Sequence, residues 1–336
     1  MIKKLRVALV VHPELIPGQL ESSSSCEERR NVPWITEWDV KQALKRLGHE
    51  VLIFSVHSKA CLKNLVNQKH KYDVVFNLLE QVGENSSEDY LLPKTLEENE
   101  IPYTGCDWRD LKIGKDKVKA KKKVSSLGTN IAKSIELRKP KFPLILKFNG
   151  EDGSYGIFKK NIIHNHDQLK KRVEYLRCKY EGELFAEEFI KGKEVYVSIS
   201  RGILGELVVP SVRELCFLES KDPALEIYTE QAKWSFKYQK TKRILTKKLS
   251  DELLARKVIT ESKKIYEGLN FAGPVRIDFR CNDSGVYFLE LNPNPNLAFD
   301  DDFFLSRGTT IREYDEMIQR LIDFSLSHFT ELSSAA

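Results

Sequence analysis

The sequence predicts an α/β domain with a parallel sheet at the N-terminus, followed by α+β lobes that carry an antiparallel hairpin near the C-terminus. Three observations support this. Valine-rich runs alternate with a helical pattern in the N-terminal third, and two alternating segments flank an Asn282-Asp283-Ser284-Gly285 turn. With 336 residues, 41% hydrophobic and 31% charged, the chain is too apolar to be disordered and long enough for about two or three cored domains.

Leu5 to Val11 reads as a strand buried on both faces. A loop with Pro13, Pro17, Gly18 and Ser22 to Ser25 follows, then a Thr36-x-x-Asp39 cap ahead of Val40, Ala43, Leu44 and Leu47, with Gly48 as the stop. Val51 to Val56 and Tyr72 to Leu79 are the next strands, and the unit closes near Tyr103-Thr104-Gly105. The basic stretch Lys112 to Lys123 reads by itself as a solvated helix face. Phe142 to Phe148 is a strand, Asn149 to Gly156 a glycine-rich turn, and a strand resumes near Ile157. Leu184 to Ile190 and Val195 to Ile199 are further strands; in the second, Glu194, Tyr196 and Ser198 share one face. Ser250 to Leu269 is a long helix with Leu254, Val258, Ile265 and Leu269 inward.

Composition excludes several classes. Lysine plus arginine number 54 against 49 aspartates and glutamates, a net charge of +5 that is too small and too dispersed for a nucleic-acid footprint. Cysteines 26, 61, 106, 178, 216 and 281 form no CxxC pair, so they read as reduced thiols of a cytoplasmic protein rather than disulfides or zinc ligands. Met1 to Val10 lacks a cleavage site and reads as a strand, not a signal peptide. No run approaches the roughly 18 apolar residues of a membrane span, so no membrane partner is expected.

The segments Pro274 to Arg280 and Val286 to Pro293 carry the chemistry. Alternation places Arg276, Asp278 and Arg280 on one face of the first strand, and Phe288, Glu290 and Asn292 together on the return strand. A three-residue loop with Gly285 left-handed would set Cys281 opposite Tyr287, Asp278 opposite Glu290 and Arg276 opposite Asn292. Opposed carboxylates repel, so something positive must sit there. Arg276 is one answer. Magnesium is the other, since two carboxylates and an amide offer hard oxygens with room for water and phosphate. A one-residue slip would put Glu290 on the face away from Asp278. Lys147 and the turn Glu151-Asp152-Gly153-Ser154-Tyr155-Gly156 could close over a polyphosphate. The turn matches neither the P-loop nor the strand-GxGxxG-helix pattern.

In order, Gly114-Lys115-Asp116-Lys117, Leu144-Ile145-Leu146-Lys147, Glu187-Glu188-Phe189-Ile190-Lys191-Gly192-Lys193-Glu194, Tyr228 to Trp234, Arg276-Ile277-Asp278 and Leu289-Glu290-Leu291-Asn292 resemble the ATP-grasp superfamily and, within it, the D-alanine–D-alanine ligase group. The resemblance implies an ATP-grasp fold with an N-terminal α/β domain over 1–110, a central lobe over 111–191 and a C-terminal lobe over 192–336. It implies a cytoplasmic, ADP-forming carboxylate-amine ligase that joins amino acids through an acyl phosphate for the cell wall, with amino-acid or peptide substrates and no nucleic acid. A homodimer is left open. ATP would be held by Lys117 and Lys147 at its α- and β-phosphates, by Glu187, Glu188 and Ile190 at adenine, by Glu194 at ribose and by Lys233 at the γ-phosphate. Ser154 would sit in the covering loop. Asp278, Glu290 and Asn292 would hold two magnesium ions, with manganese as an alternative, and Arg276 would stabilise the acyl phosphate and tetrahedral intermediate. Arg276, Lys233 and Ser154 are thus the catalytic candidates.

The substrate end departs from the family pattern. Leu78 to Asn85 and the loop with Ser22 to Cys26, Glu27 and Glu28 lack the usual motifs. Asn296 stands where the Asn-x-x-Pro-Gly pattern has glycine, and Asp300, Asp301 and Asp302 follow. Glu80 and Glu84 could take a substrate amino group and the aspartates a cationic group, or all could be solvated loop charges. A peptide ligase with another substrate pair and a catalytically inactive ATP-binding regulator are the alternative readings. His164 with His166 lacks a third metal ligand, and Trp34 and Trp38 read as packing residues.

Overall fold

The computed structural model describes residues 3–20, 28–29, 32–83, 88–150 and 154–335. The readings that fall on Ser22 to Glu27, Glu84 and Glu151 to Gly153 lie outside the described residues.

Strands β1 (Arg6–Val11), β2 (Glu50–Ser55) and β3 (Val74–Asn77) form a parallel sheet in the order β2-β1-β3, with Val7 opposite both Val51 and Val74. The valine run of β1 is covered on both faces, as a parallel strand requires. Val7, Leu9 and Val11 pack with Val40 and Leu44 of helix Ile35–Arg46 and with Tyr314, Ile318 and Ile322 of helix Ile311–Ala335. Ala8 and Val10 pack on the other side with Leu62, Leu65, Leu92 and Leu96. The chain's last helix therefore returns to its first sheet. The expected Thr36/Asp39 cap does not form. The helix starts after Trp34 without a side-chain cap, Thr36 donates to Asn296 Oδ1 at 2.8 Å, and Asp39 takes Arg29 and the Phe299 N–H instead.

The basic stretch is two helices rather than one face: Trp108–Lys115 and Lys117–Ser126 meet at Asp116, whose side chain caps the second through Lys119 N–H. Gly114 lies where a Cβ would meet Pro293 at 2.5 Å, so the first of these helices can press onto the C-terminal hairpin.

Two short strands follow, β4 (Asn130–Ile131) and β5 (Ser134–Ile135), then β6 (Leu144–Asn149). No strand resumes near Ile157. Asn161 donates its side-chain amide to Leu146 O and Gly156 O, holding a 3-10 turn at Lys159–Asn161, and the strand is β7 (Ile162–Ile163). With β8 (Glu183–Glu188) these make an antiparallel sheet, β5-β8-β6-β7, backed by Leu169 and Leu176 of helix His166–Lys179.

The third sheet contains β9 (Lys193–Arg201), β10 (Leu207–Val208), β11 (Val212–Phe217), β12 (Ile244–Lys248), β13 (Val275–Asn282) and β14 (Gly285–Pro293). Its order is β12-β11-β9-β13-β14-β4, with β10 on β9. Val195, Val197, Ile199, Val275, Ile277 and Phe279 turn to a core shared with Val258 and Ile265 of helix Glu252–Gly268. The opposite face carries the polar side chains.

The β13–β14 hairpin corrects the predicted turn and confirms the predicted pairs. Asn282 pairs with Gly285, so the loop has two residues, and Cys281 faces Val286 and Arg280 faces Tyr287. A register shift between Asp278 and Phe279 then brings Asp278 opposite Glu290 and Arg276 opposite Asn292. Leu289 is the extra residue of this bulge. Because of it Phe288 does not share a face with Glu290; it lies in the core against Phe279, ring centroids 6.4 Å apart.

Candidate active site

Arg276, Asp278, Glu290 and Asn292 converge on the polar face of the hairpin. Arg276 forks onto Asp278 (Nε to Oδ1 2.8 Å, Nη2 to Oδ2 3.0 Å), and its guanidinium lies over the ring of Tyr196, the β9 residue opposite Asp278. Asn292 Nδ2 donates to Asp278 Oδ2 at 3.1 Å. Lys117, in the first turn of its helix, places Nζ 3.3 Å from Glu290 Oε2. Each opposed carboxylate thus has its own cation.

The two acids are driven apart in acidity. Burial pushes Asp278 up to about 7, and Glu290 adds to the rise against the pull of Arg276. Burial also raises Glu290, but Lys117, Lys147 and Arg276 overcome it and hold the carboxyl near about 2. The donor set suits a hard divalent cation: every available ligand is oxygen, and Asn292 turns its NH2 to Asp278, leaving the amide oxygen for an ion. Among the described residues no group of three His, Cys, Asp or Glu side chains forms a protein-only metal site. An ion here needs further oxygens from water or a bound phosphate.

Next to this group, Glu187 of β8 is 1% exposed and joins two lysines. Lys147 of β6 approaches its Oε1 to 2.5 Å, and Lys121 bonds to its Oε2. Burial raises Glu187, yet Lys121 and Lys147 bring it down to about 2; burial pulls Lys121 itself to about 8 against the attraction of Glu187. The carboxylate stays charged while Lys121 bears the desolvation. Lys121 was not singled out from the sequence. Its signal is the i, i+4 spacing from Lys117, which puts both ammonium groups on one side of the helix.

The segment from Glu188 to Glu194 links the second and third sheets. Glu188 uses its N–H on Lys133 O. The Ile190 carbonyl accepts from Arg280 Nε at 3.1 Å, while among the described residues no acceptor takes the Ile190 N–H. Glu194 receives Tyr196 Oη at 2.9 Å and Arg280 Nη1 at 3.2 Å. Arg280 also donates to Ala224 O and Glu226 O, so one buried guanidinium ties this segment to the chain leading into Tyr228. Sequence reasoning placed Arg280 on the site face without giving it this role.

Ser154, with φ +61°, donates its hydroxyl to Tyr228 O at 2.8 Å. Gly156 N–H donates to Glu230 Oε2 at 2.9 Å, and Glu230 N–H to Ile157 O. The glycine turn and the segment carrying Lys233 are therefore clasped together. Lys233 lies in helix Glu230–Trp234, its ammonium 5.4 Å from the centroid of Trp234, which is 71% exposed. The structure thus gathers Lys117, Lys147, Glu187, Arg276, Asp278, Glu290 and Asn292 into one charge network. Glu188, Ile190 and Glu194 form an adjoining edge, and Ser154 and Lys233 stand on the two clasped segments.

At the other end, Asp302 is not a solvated charge. It binds Arg213 Nε at 2.8 Å and the Thr246 hydroxyl. Asp301 caps Phe303 N–H, and burial with Asp302 raises it to about 6 against the pull of Arg276. Glu37 is buried, and among the described residues its Oε2 has no hydrogen-bond partner; burial raises it to about 7, and Glu80 adds to the rise. Among the described residues no third ligand joins His164 and His166, and the ring of His166 meets Phe142 edge-on. Trp38 lies under Arg29.

Residues 113–323 match the family model described as "D-ala D-ala ligase C-terminus". The chain is 30% identical over 270 residues to the D-alanine–D-alanine ligase of Aquifex aeolicus, covering 77% of this chain and 84% of that one. It is 25% identical over 301 residues to the D-alanine–D-alanine ligase of Syntrophotalea carbinolica, covering 87% and 91%. The fold resembles the D-alanine–D-alanine ligase from Bacillus anthracis complexed with ATP, with TM-score 0.71 and 20% identity, covering 97% of this chain and 99% of that one. Among the described residues no helix is long and apolar enough to cross a membrane.

Proposed function

The chain belongs to the D-alanine–D-alanine ligase family of ATP-grasp enzymes, and we propose that its hairpin site joins two amino acids at the cost of one ATP, converted to ADP and phosphate. The observation that carries the site assignment is the convergence of Asp278, Glu290, Asn292, Arg276, Lys117 and Lys147 on one face beside Glu187. D-alanine is the substrate this reading puts first, from the names of the relatives.

Lys117 and Lys147 would leave their carboxylates for the α- and β-phosphates, with the adenine edge at Glu187, Glu188 and the Ile190 N–H and the ribose at Glu194. Asp278, Glu290 and Asn292 would hold magnesium, which would neutralise phosphate charge as the γ-phosphoryl group moves to the substrate carboxylate. That transfer converts a poor acylating agent into an acyl phosphate, and the amine of the second amino acid then displaces phosphate. Arg276 would stabilise negative charge on the acyl phosphate and on the tetrahedral intermediate. Lys233, brought over the γ-phosphate by the clasped loops, would help exclude water, which otherwise hydrolyses the intermediate. We place the enzyme in the cytoplasm, where ATP and free amino acids are both present.

The test is incubation with ATP, magnesium and D-alanine or mixed amino-acid pools, reading phosphate release and coupled products by mass spectrometry. Amino-acid-dependent ADP and dipeptide formation supports the reading. ATP binding without turnover on any pool would replace it with a regulatory role.

A further inference from the structure

We propose that Arg307 is the acceptor-specificity residue of this ligase, forking onto a carboxylate of the amine-bearing substrate. This rests on the ligase reading above and adds to it the chemistry of the second substrate.

Arg307 stands just past the short helix Asp302–Leu305, its guanidinium 3.7 Å from the centroid of the Phe303 ring. A guanidinium has five N–H donors. Three are used on neutral oxygens: Nη1 on Phe303 O at 2.8 Å and Ser306 Oγ at 3.2 Å, and Nη2 on Ser200 Oγ at 3.2 Å. The Nε–H and one Nη2–H remain, and Nε with Nη2 forms the edge of a guanidinium that binds a carboxylate with two parallel bonds. Among the described residues the only charged group acting on Arg307 is another cation, Arg320, and burial with that neighbour lowers the guanidinium to about 9. A half-buried cation with a cationic neighbour, two N–H donors to spare and no acid beside it favours an anion.

Its position suits the acceptor. Glu194, Tyr196, Ser198 and Ser200 follow one another on the polar face of β9, with Tyr196 opposite Asp278 and Ser198 opposite Arg276. Ser200, which holds Arg307, is the next residue of that face, roughly 7 Å further along at about 3.4 Å per residue. Arg307 thus lies one side-chain step beyond Arg276, on the side away from Glu194. Near Arg276 the field already contains Asp301, which would repel a second carboxylate. The acid-free cation beyond it is Arg307.

The experiment uses the full chain with ATP, magnesium and D-alanine as donor, and compares D-alanine with D-alaninamide as acceptor. The wild type should show an acceptor KM at least about tenfold higher for the amide. Arg307→Gln should raise the KM for D-alanine to that of the amide, leave the amide KM and the ATP KM unchanged, and Arg307→Lys should recover part of the difference. Equal acid and amide KM values in the wild type would overturn the proposal without any variant, and so would an Arg307→Gln change that affects both acceptors alike. If no amino acid supports turnover, the ligase reading has failed. Arg307 is then judged by calorimetric titration of D-alanine against D-alaninamide with a non-hydrolysable ATP analogue present, where equal binding would overturn the proposal.

Discussion

Asp278 faces Glu290 across the hairpin because β14 carries one more residue than β13 between the turn and the site. Were Leu289 paired in the ladder rather than bulged, Asp278 would meet it and Glu290 would turn toward the core. Deleting Leu289 should therefore close the bulge and leave Asp278 opposite Glu290 and Arg276 opposite Asn292, so that the folded variant keeps divalent-cation binding, read by manganese binding and circular dichroism. Loss of manganese affinity in a folded deletion variant would contradict the register.

Glu290→Gln removes one hard ligand and the repulsion between opposed carboxylates. Turnover should fall about 100-fold or more. Thermal unfolding without metal should move below the wild-type midpoint at neutral pH, because Lys117, Lys147 and Arg276 lose the carboxylate that they hold near about 2. Unchanged activity would remove Glu290 from the site.

Glu230 couples the glycine turn to the Lys233 segment through Gly156 N–H and Ile157 O. Glu230→Gln weakens a charge-assisted bond to a neutral one. Phosphate release should then exceed dipeptide formation several-fold, as water reaches the acyl phosphate. A product-to-phosphate ratio that stays at one would show that the clasp does not guard the intermediate.

Glu187 gives a pH signature. Its folded carboxyl lies near about 2 against an ordinary 4.5, so it binds its proton less readily than in the unfolded chain. The stability it contributes is present above about pH 4.5 and is lost as pH falls toward 2. Glu187→Gln should thus be destabilised in urea at neutral pH, with the gap to wild type closing through that window. A gap independent of pH would mean the carboxylate is not held by Lys121 and Lys147.

Much of this was legible in the sequence where side-chain period and residue type agree. The Asp278–Glu290 and Arg276–Asn292 pairs were placed correctly, but through a compensating error: a three-residue loop without a bulge gives the same offset as a two-residue loop with one. Phe288 was consequently put on the wrong face, since period-2 alternation cannot reveal an inserted residue. The helix Ile311–Ala335 was not anticipated, although Tyr314, Met317, Ile318, Leu321 and Ile322 follow the 3.6-residue period. Lys121, Arg280 and Arg307 were missed or left without a role for another reason. Each draws its importance from partners far away in the chain, Glu187 for Lys121 and Ser200 for Arg307, and local spacing does not reveal such contacts.

The central claim is that this site transfers the γ-phosphoryl group of ATP to an amino-acid carboxylate before the amine attacks. The most direct measurement supplies D-alanine labelled with oxygen-18 in its carboxylate and reads the released phosphate by mass spectrometry. The account predicts one labelled oxygen in the phosphate for each dipeptide formed, with ADP as the nucleotide product. Unlabelled phosphate, or AMP with pyrophosphate, would contradict it.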